Sequence, residues 1–342
     1  MSTALTIIIA VFVFGFLIFI HEFGHYIFAR IFKVKINQFS IGMGPKMLWY
    51  DSKKTGIRYS LGMLPIGGYV AMAGEDDETD DPNSFDKKSA WKRFIITVAG
   101  AAVNIIAGFL VMIIFTTMTP LNNTTITAFS EKATSNAYLE VGDEILEIDG
   151  KNVWTYDGLT YEIMRNGVKP VDVTVMRDGQ EIVIKDVVFP IIEDSGQKLG
   201  ARDFYIGEDD KNFGTVISHS WHRSILNVRM CWESLYDLFT GRFSLAAVSG
   251  PVGISSAIGN AASDGIASVL YLVGVISINL GFMNLLPIPA LDGGRLLTIT
   301  AEMVTRKKMP KKVEGIINAV GLSALLALSF VVMIKDVIQL II

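Results

Sequence analysis

Four long apolar segments divide the chain, and they set its fold class. They cover about residues 4–32, 94–118, 266–286 and 316–333. Each is about as long as an α-helix must be to cross the hydrocarbon core of a bilayer. The first segment has neither the basic start nor the small-residue cleavage site of a removable signal, so we interpret it as a retained span. The pattern predicts a polytopic α-helical membrane protein with about four transmembrane helices.

The polar stretch between the second and third apolar segments predicts a folded β-rich domain outside the bilayer. Residues 171–176 alternate between apolar and polar positions, Asp178 and Gly179 signal a turn, and a second strand follows at 181–188. Residues 141–150, which read V-G-D-E-I-L-E-I-D-G, resemble the central strand and turn of a PDZ domain, a module that adds a peptide to its sheet as a strand. The glycine-rich carboxylate-binding loop of common PDZ domains is not evident. A generic β-hairpin is the alternative.

Glycine-rich apolar sequence in the connection between the first two apolar segments predicts a β-hairpin that dips toward the membrane. Residues 42–45 read G-M-G-P, and residues 66–74 read I-G-G-Y-V-A-M-A-G. A hairpin here could offer an exposed strand edge to an unwound substrate. A loop packed on the protein's own helices fits the pattern equally well.

Composition agrees with a membrane protein that also carries polar segments. The 342 residues are 51% hydrophobic and 19% charged, with a net charge of −4 and no basic arm that would indicate a nucleic-acid partner. Cys231 is the only cysteine, which excludes an internal disulfide and a thiolate zinc site, and we interpret it as a small buried hydrophobe. The acidic run at 75–81 has no EF-hand spacing, and we interpret it as a solvated loop.

The basic residues predict which connections face the cytoplasm. They cluster between the first and second apolar segments and between the third and fourth: Arg30, Lys33, Lys35, Lys46, Lys53, Lys54, Arg58, Lys87, Lys88, Lys92, Arg93, Arg295, Arg306, Lys307, Lys308, Lys311 and Lys312. The positive-inside rule places both connections in the cytoplasm. Both termini and residues 120–260 would then be extracytoplasmic.

The sequence H-E-F-G-H at 21–25 carries the candidate chemistry. On a helix, His21 and His25 lie on one face about one turn apart and can bind one tetrahedral zinc ion, while Glu22 flanks them as a general base. Five residues can match by chance. However, ionisable groups at the end of an apolar span are costly, which favours a functional role.

A third ligand is available at the end of the third apolar segment. Pro287 and Pro289 break the helix just before Asp292, and broken helices at membrane depth line cavities or lie buried in protein. A catalytic zinc needs three protein ligands and one open position, so Asp292 can complete the set. The alternative role for Asp292 is a helix N-cap. His219 and His222 lie in an amphipathic stretch and are interpreted as interfacial residues.

Taken together, H-E-F-G-H on the first segment, N-L-L-P-I-P-A-L-D-G-G at 284–294 and an external PDZ-like insert resemble the site-2 protease family over essentially the whole chain. The likeness is closest to the bacterial branch that includes the regulator of sigma E protease, and residues 39–46, 100–104 and 250–254 add to it. The chain has room for one PDZ domain where some relatives carry two. The resemblance implies one zinc ion held by His21, His25 and Asp292, with Glu22 as catalytic acid/base. It further implies that the substrate is contacted by residues of two segments: Asn284, Asn279, Gly67, Gly68 and Tyr69.

The resulting expectation is an intramembrane zinc metalloprotease of the bacterial cell membrane. It would cleave single-span proteins already shortened by a first cut, such as anti-sigma factors or signal-peptide remnants. The expected domains are an N-terminal membrane half (1–120), a PDZ-like domain (121–210), an amphipathic interfacial segment (211–265) and a C-terminal membrane half (266–342). A catalytically silent PDZ-bearing adaptor is one alternative. A transporter with broken helices is another, although we find no internal repeat.

Overall fold

The computed structural model describes residues 3–75, 79–194, 197–242 and 249–341. The middle of the predicted acidic loop (76–78) and residues 243–248 of the predicted interfacial segment lie outside the described residues. The helices are α1 (Thr3–Ile31), α2 (Ala90–Met118), α3 (Tyr156–Asn166), α4 (Phe213–Thr240), α5 (Pro251–Asp264), α6 (Ile266–Leu285), α7 (Asp292–Thr305) and α8 (Lys311–Ile341). The strands are β1 (Ile36–Asp51), β2 (Arg58–Met72), β3 (Asn122–Phe129), β4 (Glu144–Ile148), β5 (Lys151–Asn152), β6 (Val171–Arg177), β7 (Gln180–Val187), β8 (Ile191–Asp194), β9 (Gln197–Gly200) and β10 (Phe204–Glu208).

Four of the described helices are long and apolar enough to cross a membrane. They span Leu5–Ile31, Ala90–Met118, Ile266–Leu285 and Lys311–Ile338. These are the four predicted apolar segments, with the second and fourth beginning some residues earlier than the apolar run itself. The structure confirms the prediction of four apolar helices joined to β-sheet segments.

The chain divides into two compact units. One contains residues up to Val111 and from Val228 onward, and the other contains Met112–Asn227. In the first unit, β1 and β2 form a long antiparallel pair in the connection between α1 and α2, where the glycine pattern predicts a hairpin. Phe39 lies opposite both Val70 and Tyr59, so the ribbon folds over on itself.

The ribbon also packs on the helices of its own unit, so both interpretations of this connection hold in part. Phe39, Val70 and Met72 are buried in one core with Ala29 of α1 and Ile96 of α2. This burial anchors β2 beside the end of α1 that carries the H-E-F-G-H sequence.

Small residues bring the membrane helices of this unit close together. A Cβ on Gly108 of α2 would lie 2.6 Å from the side chain of Ile278 on α6, and a Cβ on Gly281 of α6 would lie 2.6 Å from the carbonyl oxygen of Ala101. Glycine is therefore required on both sides of this crossing, as is common where membrane helices pack closely.

The second unit contains the predicted β-rich segment. Its main sheet has the order β10-β3-β4-β6-β7, with β5 beside β4, and β8 pairs with β9. β6 and β7 match the predicted strands closely. The turn between them has positive φ at Asp178 (51°) and Gly179 (78°), as a D-G hairpin requires. Asp143, from the V-G-D-E sequence, is buried and accepts two hydrogen bonds of 2.7 Å from Arg177.

Candidate metal centre

The structure brings together His21, His25 and Asp292, which are separated by up to 271 positions in the sequence. One turn of α1 presents both imidazoles, with 3.2 Å between their Nε2 atoms. The Oδ2 atom of Asp292 lies 3.0 Å from Nε2 of His21 and 3.2 Å from Nε2 of His25. In the described part of the chain this is the one group of three such side chains close enough to share a metal ion.

The triangle of ligand atoms fits a zinc ion. Tetrahedral bonds of about 2.0–2.1 Å place neighbouring ligand atoms about 3.3 Å apart, close to the observed edges. The Oδ2 atom of Asp292 is buried, and among the described residues it has no hydrogen-bond partner of proper geometry. A buried carboxylate oxygen without a partner is costly, and a cation shared with the two imidazoles would stabilise it. The two imidazole nitrogens and the carboxylate oxygen therefore suit a zinc ion.

The chain break before Asp292 explains how that side chain reaches the histidines. α6 ends at Leu285, Leu286 is extended, and Ala290 has φ of 72°. A Cβ on Gly294 would lie 2.6 Å from the carbonyl oxygen of Ile288, so the turn folds back too tightly for a side chain there. Leu291 occupies the N-cap position of α7 and Asp292 is its first helical residue, with no side-chain cap bond. The structure thus disfavours the N-cap alternative for Asp292.

Glu22 lies beside the three candidate ligands and against strand β2. Its carboxylate lies near the backbone of Val70. A Cβ on Gly68 would lie 3.0 Å from Cγ of Glu22, so the glycine allows this close contact. Strand β2 thereby packs against the side chain of Glu22.

A cavity of about 580 Å³ opens at this site. Its walls include the three candidate ligands, Glu22, residues 69–75 at the end of β2 and just after it, and a polar set made of Lys35, Asn37, Thr79, Thr97 and Arg295. Residues 69–72 pair with β1 along one edge. The cavity borders the same residues of β2, so an extended peptide segment could lie beside β2 in the cavity.

Of the residues expected to contact the substrate, Tyr69 lines the cavity, whereas Asn279 and Asn284 do not. Tyr69 lines the cavity, and its hydroxyl accepts a 2.8 Å hydrogen bond from Gln38. Asn279 and Asn284 lie on α6, and neither is among the residues that line this cavity. The Oδ1 atom of Asn279 is buried without a hydrogen-bond partner in the described part of the chain.

Three residues outside the cluster also have defined surroundings. Nε2 of His219 lies 2.9 Å from Oδ2 of Asp209, and the ring of His222 stacks on Trp154 with centroids 5.2 Å apart. Cys231 is half-buried on α4, so it is less buried than expected. None of the three joins the candidate metal cluster.

Arg295 is a cavity residue that the sequence motifs do not predict. It lies one turn after Asp292 and forms an ion pair with Glu75, a residue 220 positions away. Its position in L-D-G-G-R was the one available signal, because helical spacing places residue 295 near the face of 292. The Glu75 partner could not be read from the sequence.

Comparison with known proteins gives a consistent family assignment. The model of peptidase family M50 matches residues 9–328. Two proteins named putative zinc metalloprotease, from Clostridium acetobutylicum and Fusobacterium nucleatum, are each 34% identical to this chain; the alignments cover 97% of this chain and 97% and 98% of theirs. The regulator of sigma-W protease RasP of Bacillus subtilis is 26% identical, with 97% of this chain and 98% of RasP covered.

These matches extend over nearly the whole chain, and they agree with the apolar helices and with the His-His-Asp cluster. They favour an enzyme over the two alternatives, a catalytically silent adaptor and a transporter. The chain belongs to peptidase family M50, the site-2 protease family, and it is a multi-pass membrane zinc metalloprotease.

Proposed function

We propose that His21, His25 and Asp292 are the zinc ligands and that Glu22 is the catalytic acid/base. The observation that carries this proposal is the triangle of ligand atoms with edges of 3.0–3.2 Å, which Glu22 adjoins. Three protein ligands leave one position open, which is the arrangement of catalytic zinc sites.

The chain's own groups then have distinct tasks in peptide-bond hydrolysis. Zinc of this type lowers the pKa of a bound water to about 7 and polarises a carbonyl group. Glu22 accepts the proton of the attacking water and returns it to the leaving amide nitrogen. Its close contact with Gly68 of β2 holds the carboxylate beside the candidate ligands for both transfers.

The substrate would lie extended along β2. A transmembrane helix hides its own amides, so the scissile bond must be unwound before a water can reach its carbonyl. Tyr69 lines the cavity and Gly68 lies against Glu22, which supports strand addition at this edge. Gly67 precedes them in the same strand, and Asn284 and Asn279 remain proposed contacts to the substrate backbone.

The proposed reaction is intramembrane proteolysis of single-span proteins that have already lost their external part. Candidate histidine ligands on an apolar helix support cleavage within the bilayer. The relative named regulator of sigma-W protease supports a role in signalling, so membrane-bound anti-sigma factors are one proposed substrate class. Signal-peptide remnants are the other.

The proposed topology follows from the distribution of basic residues. Arg and Lys residues are concentrated in the α1–α2 and α7–α8 connections, which supports a cytoplasmic location for both in a bacterial cell and a metal site toward that side. Both termini and a PDZ-like domain at 121–210 would be extracytoplasmic. The domain limits 1–120, 211–265 and 266–342 remain part of this proposal.

The test measures zinc content and cleavage on the same purified preparations in proteoliposomes. His21→Ala, His25→Ala and Asp292→Ala should each lose zinc and lose cleavage of a single-span model substrate. His222→Ala, a histidine outside the cluster, is the matched control and should keep both. Full zinc content in any of the three ligand variants would overturn the proposed ligand set.

A further inference from the structure

The imidazoles of His21 and His25 rest on one face of α2, the helix that crosses behind them. Ile96, Gly100 and Asn104 follow each other at intervals of four and therefore share that face. A Cβ on Gly100 would collide with Nε2 of His25 and would lie 2.9 Å from Cε1 of His21. Both rings thus lie directly on the backbone of α2.

The second ring nitrogen of each histidine is bonded to this face. Nδ1 of His25 lies 2.8 Å from the carbonyl oxygen of Ile96, which can only accept. His25 must therefore carry its proton on Nδ1, and its Nε2 lone pair is left for the ion. Nδ1 of His21 lies 3.4 Å from the side-chain amide of Asn104, a fully buried residue.

Asn104 can supply the acceptor that Nδ1 of His21 needs. If Nε2 of His21 is to bind an ion through its lone pair, Nδ1 carries the proton and needs an acceptor. The Oδ1 atom of Asn104 is buried and has no hydrogen-bond partner among the described residues. Half a turn of the amide about its last torsion directs that oxygen to Nδ1.

We infer that Asn104 is a positioning residue that accepts a hydrogen bond from Nδ1–H of His21 and so holds this imidazole in the tautomer that presents the Nε2 lone pair to an ion shared with Asp292. The inference rests on the proposed metal ligands. It adds a partner from α2 for each histidine: a backbone carbonyl for His25 and a side-chain carbonyl for His21. Partners of this kind orient ligand rings and strengthen metal binding.

Substitutions at Asn104 test whether its side chain acts as a hydrogen-bond acceptor for His21. Asn104→Asp keeps an acceptor at the same place, while Asn104→Leu and Asn104→Ala remove it. Zinc affinity would be measured by competition with a chelator on the full-length protein in detergent, with thermal unfolding recorded on the same samples. We expect a loss of about 10–100-fold in zinc affinity for the leucine and alanine variants, and a value within about threefold of wild type for the aspartate variant.

Ser277→Ala is the matched control for helix packing. Ser277 donates a 2.8 Å hydrogen bond to the backbone carbonyl of Asn104 and does not contact the imidazole, so zinc affinity should stay unchanged. The inference is overturned if the alanine variant binds zinc as wild type does, if the aspartate variant is as weak as the alanine variant, or if Ser277→Ala is equally weak.

Failure of this inference can be told apart from failure of the proposed ligand set. If His21→Ala loses zinc while Asn104→Ala keeps it, the ligands stand and the role of Asn104 falls. If His21→Ala itself binds zinc as wild type does, the ligand set falls.

Discussion

Gly24 on α1 lies directly against the backbone carbonyl of Ala99 on α2. A Cβ at position 24 would lie 2.5 Å from that oxygen and 2.9 Å from Cα of Gly100. The close approach presses His21 and His25 onto the face of α2 that holds their rings. The residue between the two histidines therefore determines the separation of the helices.

Gly24→Ala should push α1 away from α2, because the contact is with backbone and cannot be relieved by a side-chain rotation. We expect a loss of about 1–3 kcal/mol in the free energy of unfolding and weaker zinc binding. Thermal unfolding and chelator competition measure the two effects. Gly15→Ala is the matched control, since a Cβ there has nothing within 4 Å. Equal behaviour of the two variants would contradict the packing account.

The helix that carries Asp292 is tied to α2 by a buried ion pair. Arg93 donates to Glu302 at 2.5 Å, and the two side chains are 9% and 16% exposed. Glu302→Ala leaves the Arg93 guanidinium buried without its charge partner and should cost about 3–5 kcal/mol of unfolding free energy.

Two comparisons sharpen this prediction. The double variant Arg93→Met/Glu302→Leu removes both charges and should recover much of the loss. Lys35→Ala breaks the exposed pair of Lys35 with Asp81 (2.9 Å) and should cost less than about 1 kcal/mol. A double variant no more stable than Glu302→Ala would show that the pair is not what ties α7 to α2.

Asp336, near the end of α8, accepts hydrogen bonds from the first turn of α5. Its Oδ2 lies 2.8 Å from the backbone nitrogen of Gly250 and 3.0 Å from that of Gly253. A Cβ on Gly250 would lie 2.8 Å from the same oxygen, so that position needs glycine, and a Cβ on Gly253 would lie 3.3 Å from it, a tight contact. This contact accounts for the sequence G-P-V-G at 250–253.

Asp336→Ala should lower the unfolding temperature, because two backbone N–H groups at the N-terminus of α5 lose their acceptor. We expect a loss of about 1–3 kcal/mol. Asp336→Asn keeps one acceptor oxygen and should fall between wild type and Asp336→Ala. An alanine variant as stable as wild type would contradict the capping role.

Cys231 offers a pH-dependent check on the exposure of α4. Burial raises the pKa of this thiol above its usual range, so the thiolate fraction at pH 7 is lower than in an exposed cysteine. The rate of alkylation by iodoacetamide should therefore rise about tenfold per pH unit through pH 8.5. The unfolded protein serves as the reference. A rate that levels off below pH 8.5 would contradict this environment.

Much of the fold and of the candidate site could be predicted because it depends on local pattern. The four apolar helices, the turn at Asp178 and Gly179, and the convergence of His21 with His25 follow from hydrophobic length, turn preference and helical spacing. These features need no information about distant parts of the chain.

The remainder depends on pairings across long sequence separations. The ribbon of β1 and β2 folds at Gly42 and Gly62, where a Cβ on Gly62 would lie 2.6 Å from the backbone of residue 42, and no periodicity reveals that contact. The ion pair of Arg295 with Glu75 and the contact of Asn104 with His21 likewise join separate segments. Such contacts depend on tertiary packing and therefore cannot be predicted from local sequence patterns.

The most direct test of the account is Glu22→Gln, assayed for zinc content and for cleavage of a single-span substrate in the same proteoliposomes. The amide keeps the shape of the side chain and leaves the three candidate ligands untouched, but it cannot accept the proton of the attacking water. We predict full zinc content and no detectable cleavage. Cleavage at the wild-type rate would contradict the assignment of Glu22 as the catalytic acid/base.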